Sequence, residues 1–140
     1  MYNKIKKGGW IPVRKFNKII LGVICLLVLI IGGTGFYMTR GLNPGKNIVI
    51  NSMDASQLKD GVYKGKYNGG RWSNEVNVTL KDKKITQIDI VKNVVFEKTE
   101  VSRELINKVI NEQDTNVDVI SGATVTSKAY LKSIENALSK

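Results

Sequence analysis

The chain has 140 residues, enough for one domain and an appendage, and a formal charge of +10. It has no histidine and one cysteine, Cys25. That excludes histidine general bases, histidine-ligated haem or zinc, an intramolecular disulfide and a cysteine-ligated iron–sulfur cluster. Residues 1–40 hold seven basic residues and no acid, whereas residues 41–140 hold 15 basic and 12 acidic ones. The charge therefore belongs to the N-terminal flank and makes no case for nucleic-acid binding.

Residues 1–18 read as a basic cytoplasmic segment. Residues 19–39 follow without a single charge. At about 1.5 Å per helical residue, about 20 residues cross about 30 Å of hydrocarbon, so this run is expected to be a transmembrane helix. Six positive charges precede it, which places the N-terminus in the cytoplasm and the rest of the chain outside. Tyr2 and Trp10 suit the inner interface, and Phe36 and Tyr37 the outer one. The alternative is a cleaved signal peptide with Gly33-Thr34-Gly35 as its site, but the apolar run is long for that and no Ala-x-Ala follows. Residues 40–57, with Gly41, Asn43, Pro44, Gly45, Asn47 and Ser52, read as a flexible linker broken only by Ile48-Val49-Ile50.

A folded domain is expected over residues 58–140. Tyr63, Gly65 and Tyr67 alternate with lysines in a first strand, and Asn68-Gly69-Gly70 makes a turn. Val76, Val78 and Leu80 mark a second strand, and Lys81-Asp82-Lys83-Lys84 a polar hairpin turn. Ile88 and Ile90 mark a third strand, whose pattern allows continuation to Phe96. Thr99 is placed to cap a helix with Val101, Leu105, Ile106, Val109 and Ile110 as its apolar stripe. A short strand over residues 117–120 then leads to a last helix near residues 125–138, with Tyr130, Ile134 and Leu138 four apart. The fold class is α+β: a small antiparallel sheet with two packed helices, preceded by one N-terminal transmembrane helix.

The junction before the last helix holds the chemistry. Asp118-Val119-Ile120-Ser121-Gly122-Ala123-Thr124-Val125-Thr126-Ser127 puts small residues and four hydroxyls at a helix start, where the first N–H groups have no intrahelical partner. That is a place to hold a phosphate. The pattern Asp-x-x-Ser-Gly-Ala-Thr-x-Thr-Ser resembles the flavin-attachment motif of the FMN-binding domain family. That family includes flavin subunits of sodium-pumping NADH:quinone oxidoreductase and Rnf complexes, and small membrane-anchored extracellular flavoproteins. Asp60-Gly61-Val62-Tyr63-Lys64-Gly65 is similar to the family's first strand. The resemblance implies FMN joined through its phosphate to the Thr124 hydroxyl by a flavin transferase that uses FAD.

Two readings of Thr124 stand side by side: the esterified acceptor, or an ordinary N-cap taking a backbone N–H near Ser127. Thr126 is a second candidate acceptor. Ser121 and Ser127 are expected to bond the phosphate or the turn backbone, and Gly122 and Ala123 to let a ligand approach. The resemblance gives Asp118 either recognition by the transferase or the ordering of the turn. Trp72 either stacks on the isoalloxazine or caps the core, and Arg71 is placed to stabilise a reduced flavin. No metal site is expected. The region between the third strand and its helix lacks the family's His and Glu-Thr-Pro-Gly-like loop.

Together these features imply a membrane-anchored extracytoplasmic flavoprotein that carries electrons, rather than an enzyme with its own substrate. Its expected partners are a membrane quinol or flavoprotein donor and an extracellular acceptor or reductase. The alternatives are a reversible FMN-binding sensor and a flavin-free accessory ectodomain.

Overall fold

The computed structural model describes residues 13–40 and 42–139. The basic flank before residue 13, with Tyr2 and Trp10, lies outside them. The chain divides into two units, Met1–Met38 and Thr39–Lys140.

The first unit is carried by helix α1, Val13–Thr39. Its 27 residues measure about 40 Å at 1.5 Å each. Its described side chains are exposed, and its apolar run has a mean hydropathy of 2.7. By length and composition it can cross a membrane.

The second unit is built on three antiparallel strands in the order β1 (Gly61–Tyr67), β2 (Asn74–Lys81) and β3 (Lys84–Lys92). This is the expected meander with one buried face. Alternation along β2 sends Asn74, Val76, Val78 and Leu80 inward and Glu75, Asn77 and Thr79 outward. Irregular pairing between Thr79 and Leu80 leaves one extra residue in β3, so Ile85 and Ile88, three apart, are both buried. The β2–β3 turn has Asp82 and Lys83 at φ 54° and 60°, the left-handed pair that a two-residue hairpin requires. Asp60 fastens that turn by accepting the N–H of Asp82 at 2.8 Å and of Lys83 at 3.0 Å. These two bonds hold its carboxyl below the usual range.

Two helices cover the inner face. Helix α3 (Thr99–Glu112) buries Leu105 and Val109, and Glu104 meets Lys108 across one turn at 3.6 Å. The capping position is Lys98 rather than the expected Thr99, and it makes no side-chain cap. At its other end Gln113 behaves like a strand residue: its amide accepts from Ile85 N–H at 2.7 Å and donates to Ile85 C=O at 2.9 Å. Helix α4 (Thr124–Leu138) lies across β1 and β2, with Tyr130, Ile134 and Leu138 buried as their four-residue spacing predicts and Leu131 buried beside them. Gly65 makes that contact possible, since a Cβ there would stand 1.8 Å from the Ser133 carbonyl oxygen.

Three expectations are corrected. Strand β3 stops at Lys92, and residues 93–98 are a loop. Residues 117–120 form no strand: the Ile120 N–H bonds the Ser127 hydroxyl at 3.1 Å instead of a ladder. The folded unit also begins well before residue 58. A short helix α2 (Leu42–Lys46) and a 3₁₀ turn at Ala55–Gln57 are packed into it, with Gly45 and Ala55 buried and Ile50 and Met53 against the core. The described part of the expected linker is therefore a wall of the domain. Its composition looks flexible, but side chains far along the chain satisfy its backbone.

Candidate functional site

The Ser-Gly-Ala-Thr junction is a turn closed by Ala123 N–H donating to Ile120 C=O at 3.0 Å. Gly122 takes φ +73° there, the left-handed conformation that glycine adopts without strain, and the space where a Cβ would sit is open. Ser127 is fully buried and locks the turn from inside: its hydroxyl accepts Ile120 N–H and its N–H donates to Ala123 C=O at 2.8 Å.

The N-cap of α4 is Ala123, whose methyl group cannot accept a hydrogen bond. Thr124 is thus the first helical residue and not the cap, which removes the N-cap reading. It is exposed, and its hydroxyl has no hydrogen-bond partner among the described residues. Thr126 is half-buried and Ser121 exposed. Asp118 is exposed and makes no side-chain hydrogen bond among the described residues, so Ser127 orders the turn and Asp118 does not.

Thr124 opens onto a groove of about 370 Å³ lined by Leu42, Lys46, Arg71, Trp72 and residues 122–126. Two cations and no carboxylate line it. A smaller cavity of about 170 Å³ shares Arg71, Trp72 and Thr126 with it and adds Val94 and Phe96. Trp72 is buried, and the Arg71 guanidinium lies 4.1 Å from its ring centroid and 5.6 Å from that of Phe96. The loop is pinned from both sides. The Asn74 amide donates to the Trp72 and Ala129 carbonyls, each at 3.1 Å, and Val95 N–H donates to Arg71 C=O at 2.9 Å.

Beneath the site, Tyr130 donates to the Asn93 side-chain oxygen. Burial, with Glu97 adding to it, pushes its phenol up to about 12. Tyr130 is therefore a neutral structural donor, not a proton carrier near neutral pH.

Lys46 and Leu42, read as linker, were missed as groove residues, and Phe96, read as strand, as a residue of the smaller cavity. The one sequence signal was Ile48-Val49-Ile50, an apolar patch that a solvated linker has no reason to carry.

An exposed hydroxyl with no partner among the described residues, helix-start N–H groups and a cationic lining suit a phosphate. In agreement, residues 70–139 match the family model described as FMN-binding domain. The match covers half of the chain, and the chain belongs to that family. It takes in Arg71, Trp72, Phe96 and the whole Thr124 junction, and leaves out α1, α2 and β1. No curated protein matches the chain.

Proposed function

We propose that this protein is a membrane-anchored extracytoplasmic electron carrier whose FMN is esterified through its phosphate to Thr124. The observation that carries this is the Thr124 hydroxyl, exposed, without a hydrogen-bond partner among the described residues and set at the start of α4 in a groove lined by two cationic side chains. A flavin transferase using FAD would join the FMN phosphate to Oγ of Thr124, with AMP leaving. Ser127 keeps the turn in shape, and Gly122 keeps the backbone open to the phosphate. The N–H groups of Thr124, Val125 and Thr126 face the anion at the positive end of the helix. Phe96, which is exposed, offers the aromatic side against which the ring system rests, and Arg71, stacked on the buried Trp72, places positive charge beside it.

Bound FMN supplies the electron chemistry, taking up and releasing electrons singly or in pairs. The chain supplies position, charge and the covalent hold, which outside a cell keeps the flavin from diffusing away. The charge asymmetry across α1 supports a cytoplasmic N-terminus and an outward domain. Because residues 42–57 are packed into the fold, a long swinging linker is no part of this reading. The donor is read as a membrane quinol or flavoprotein, and the acceptor as an extracellular reductase or oxidant.

The test is a denaturing gel viewed under ultraviolet light, with the protein co-expressed with a flavin transferase beside Thr124→Ala. A fluorescent band in the wild type that is absent from Thr124→Ala is expected. Fluorescence that survives Thr124→Ala would move the ester to Thr126, and a dark wild-type band would end the covalent reading.

A further inference from the structure

Residues 46–53 are tied to the domain by side chains that lie more than 60 positions away. Lys128 donates its ammonium to the Lys46 carbonyl at 2.8 Å and to the Ile48 carbonyl at 3.1 Å. Glu135 is buried and accepts from the Asn51 N–H at 3.2 Å and from its amide at 3.0 Å, while Lys132 holds Glu135 at 2.8 Å. Thr115 donates to the Asn51 carbonyl at 2.6 Å, and Asp114 accepts from the Ser52 hydroxyl at 2.6 Å. Bonds of this kind fix a backbone path.

That path ends at the flavin groove. Gly45 is buried against Val125, the residue after Thr124, so closely that a Cβ would stand 2.5 Å from Val125 Cγ1. The next residue, Lys46, lines the groove that holds Thr124, and its own carbonyl is the one Lys128 grips. Helix α4 thus begins with the acceptor hydroxyl and, one turn on, fixes the root of a lysine that lies outside the matched family region.

We propose that Lys46 is a phosphate-holding residue of this site, positioned by Lys128 and Glu135 of the helix that carries Thr124. The inference rests on the FMN reading above and adds to it a binding residue and its support. Arg71 is committed to the Trp72 ring, a flat cation on a flat face, whereas the Lys46 ammonium is a compact charge suited to a phosphate oxygen. The site then recognises the phosphate of FMN as well as its ring, and riboflavin, which has the ring alone, is the weaker ligand.

The experiment is an equilibrium titration of the full chain in detergent micelles. The protein is made without a transferase, so that Thr124 is free, and is titrated with FMN and separately with riboflavin by flavin fluorescence. Wild type is expected to prefer FMN. Lys46→Met is expected to weaken FMN binding about threefold, as suits an exposed ion pair, and to leave riboflavin binding unchanged. Lys128→Met should act in the same direction, and Lys46→Arg should restore most of the preference. Equal loss for both ligands in Lys46→Met, an unchanged FMN-to-riboflavin ratio, or no FMN binding up to about 1 mM would overturn the proposal. The gel assay stands apart from this one. A chain that prefers FMN through Lys46 but is never esterified keeps this inference and loses the covalent reading. A chain esterified at Thr124 with no Lys46 dependence does the reverse.

Discussion

Gly65 offers the sharpest test of how the site is held in place. It lies in β1 under α4, and its backbone is one that alanine adopts without strain, so only space forbids a side chain. A Cβ would stand 1.8 Å from Ser133 O, 2.7 Å from Ala137 N and 2.8 Å from Ala137 Cβ. Two of these three atoms are backbone and cannot rotate away. A normal carbon–oxygen contact is about 3.3 Å, so α4 would have to retreat by about 1.5 Å. Such a retreat loosens Tyr130, Leu131, Ile134 and Leu138, which are all buried. Overpacking of this severity costs about 3 kcal/mol, and for a domain of about 100 residues that lowers Tm by about 12 °C. The assay is thermal unfolding of full-length Gly65→Ala in detergent, followed by circular dichroism. Gly122→Ala serves as the comparison. It meets open space and bears only the left-handed backbone penalty of about 1 kcal/mol, or about 4 °C. If Gly65→Ala melts within about 2 °C of wild type, the close approach of α4 to β1 is not what holds the helix.

Gln113→Ala removes the amide that bonds both backbone groups of Ile85. A loss of about 2 kcal/mol in urea unfolding is expected, with faster hydrogen exchange at the Ile85 amide. Glu135 brings a pH dependence. Burial raises its pKa, but the bonds from Lys132 and Asn51 outweigh that and hold it below 4.5. Its stabilisation is therefore complete above pH 4.5 and is lost as pH falls through the folded-state value. Glu135→Gln should flatten that acid limb, and an unchanged limb would show that Glu135 does not fasten the segment. Tyr130→Phe should destabilise by about 1 kcal/mol in denaturant titration, since its hydroxyl donates to Asn93, and on the proposed covalent reading should leave the gel fluorescence as in wild type.

Much of this protein was legible from local pattern. Period-two alternation marked the three strands and their buried face, because each strand shows one side to the core. Four-residue spacing marked Tyr130, Ile134 and Leu138 on α4, and an unbroken uncharged run marked α1. The Ser-Gly-Ala-Thr junction was legible as a turn into a helix start, and its motif as that of an FMN-binding domain, because both are contained in about ten adjacent residues.

What only the tertiary structure decided is where a residue's partner lies far away in the chain. Nothing near residues 46–53 says that Lys128, Glu135 and Asp114 will take up their polar groups, so a Gly- and Asn-rich stretch looked like linker. Residues 117–120 have the pattern of a strand, but Ile120 gives its N–H to the Ser127 hydroxyl and joins no ladder. Whether Thr124 caps its helix or leaves its hydroxyl free depended on a one-residue shift in where α4 begins, and the turn locked by Ser127 set that shift. Periodicity reports which side of an element is apolar. Which backbone group meets which distant side chain is settled only when the chain has closed on itself.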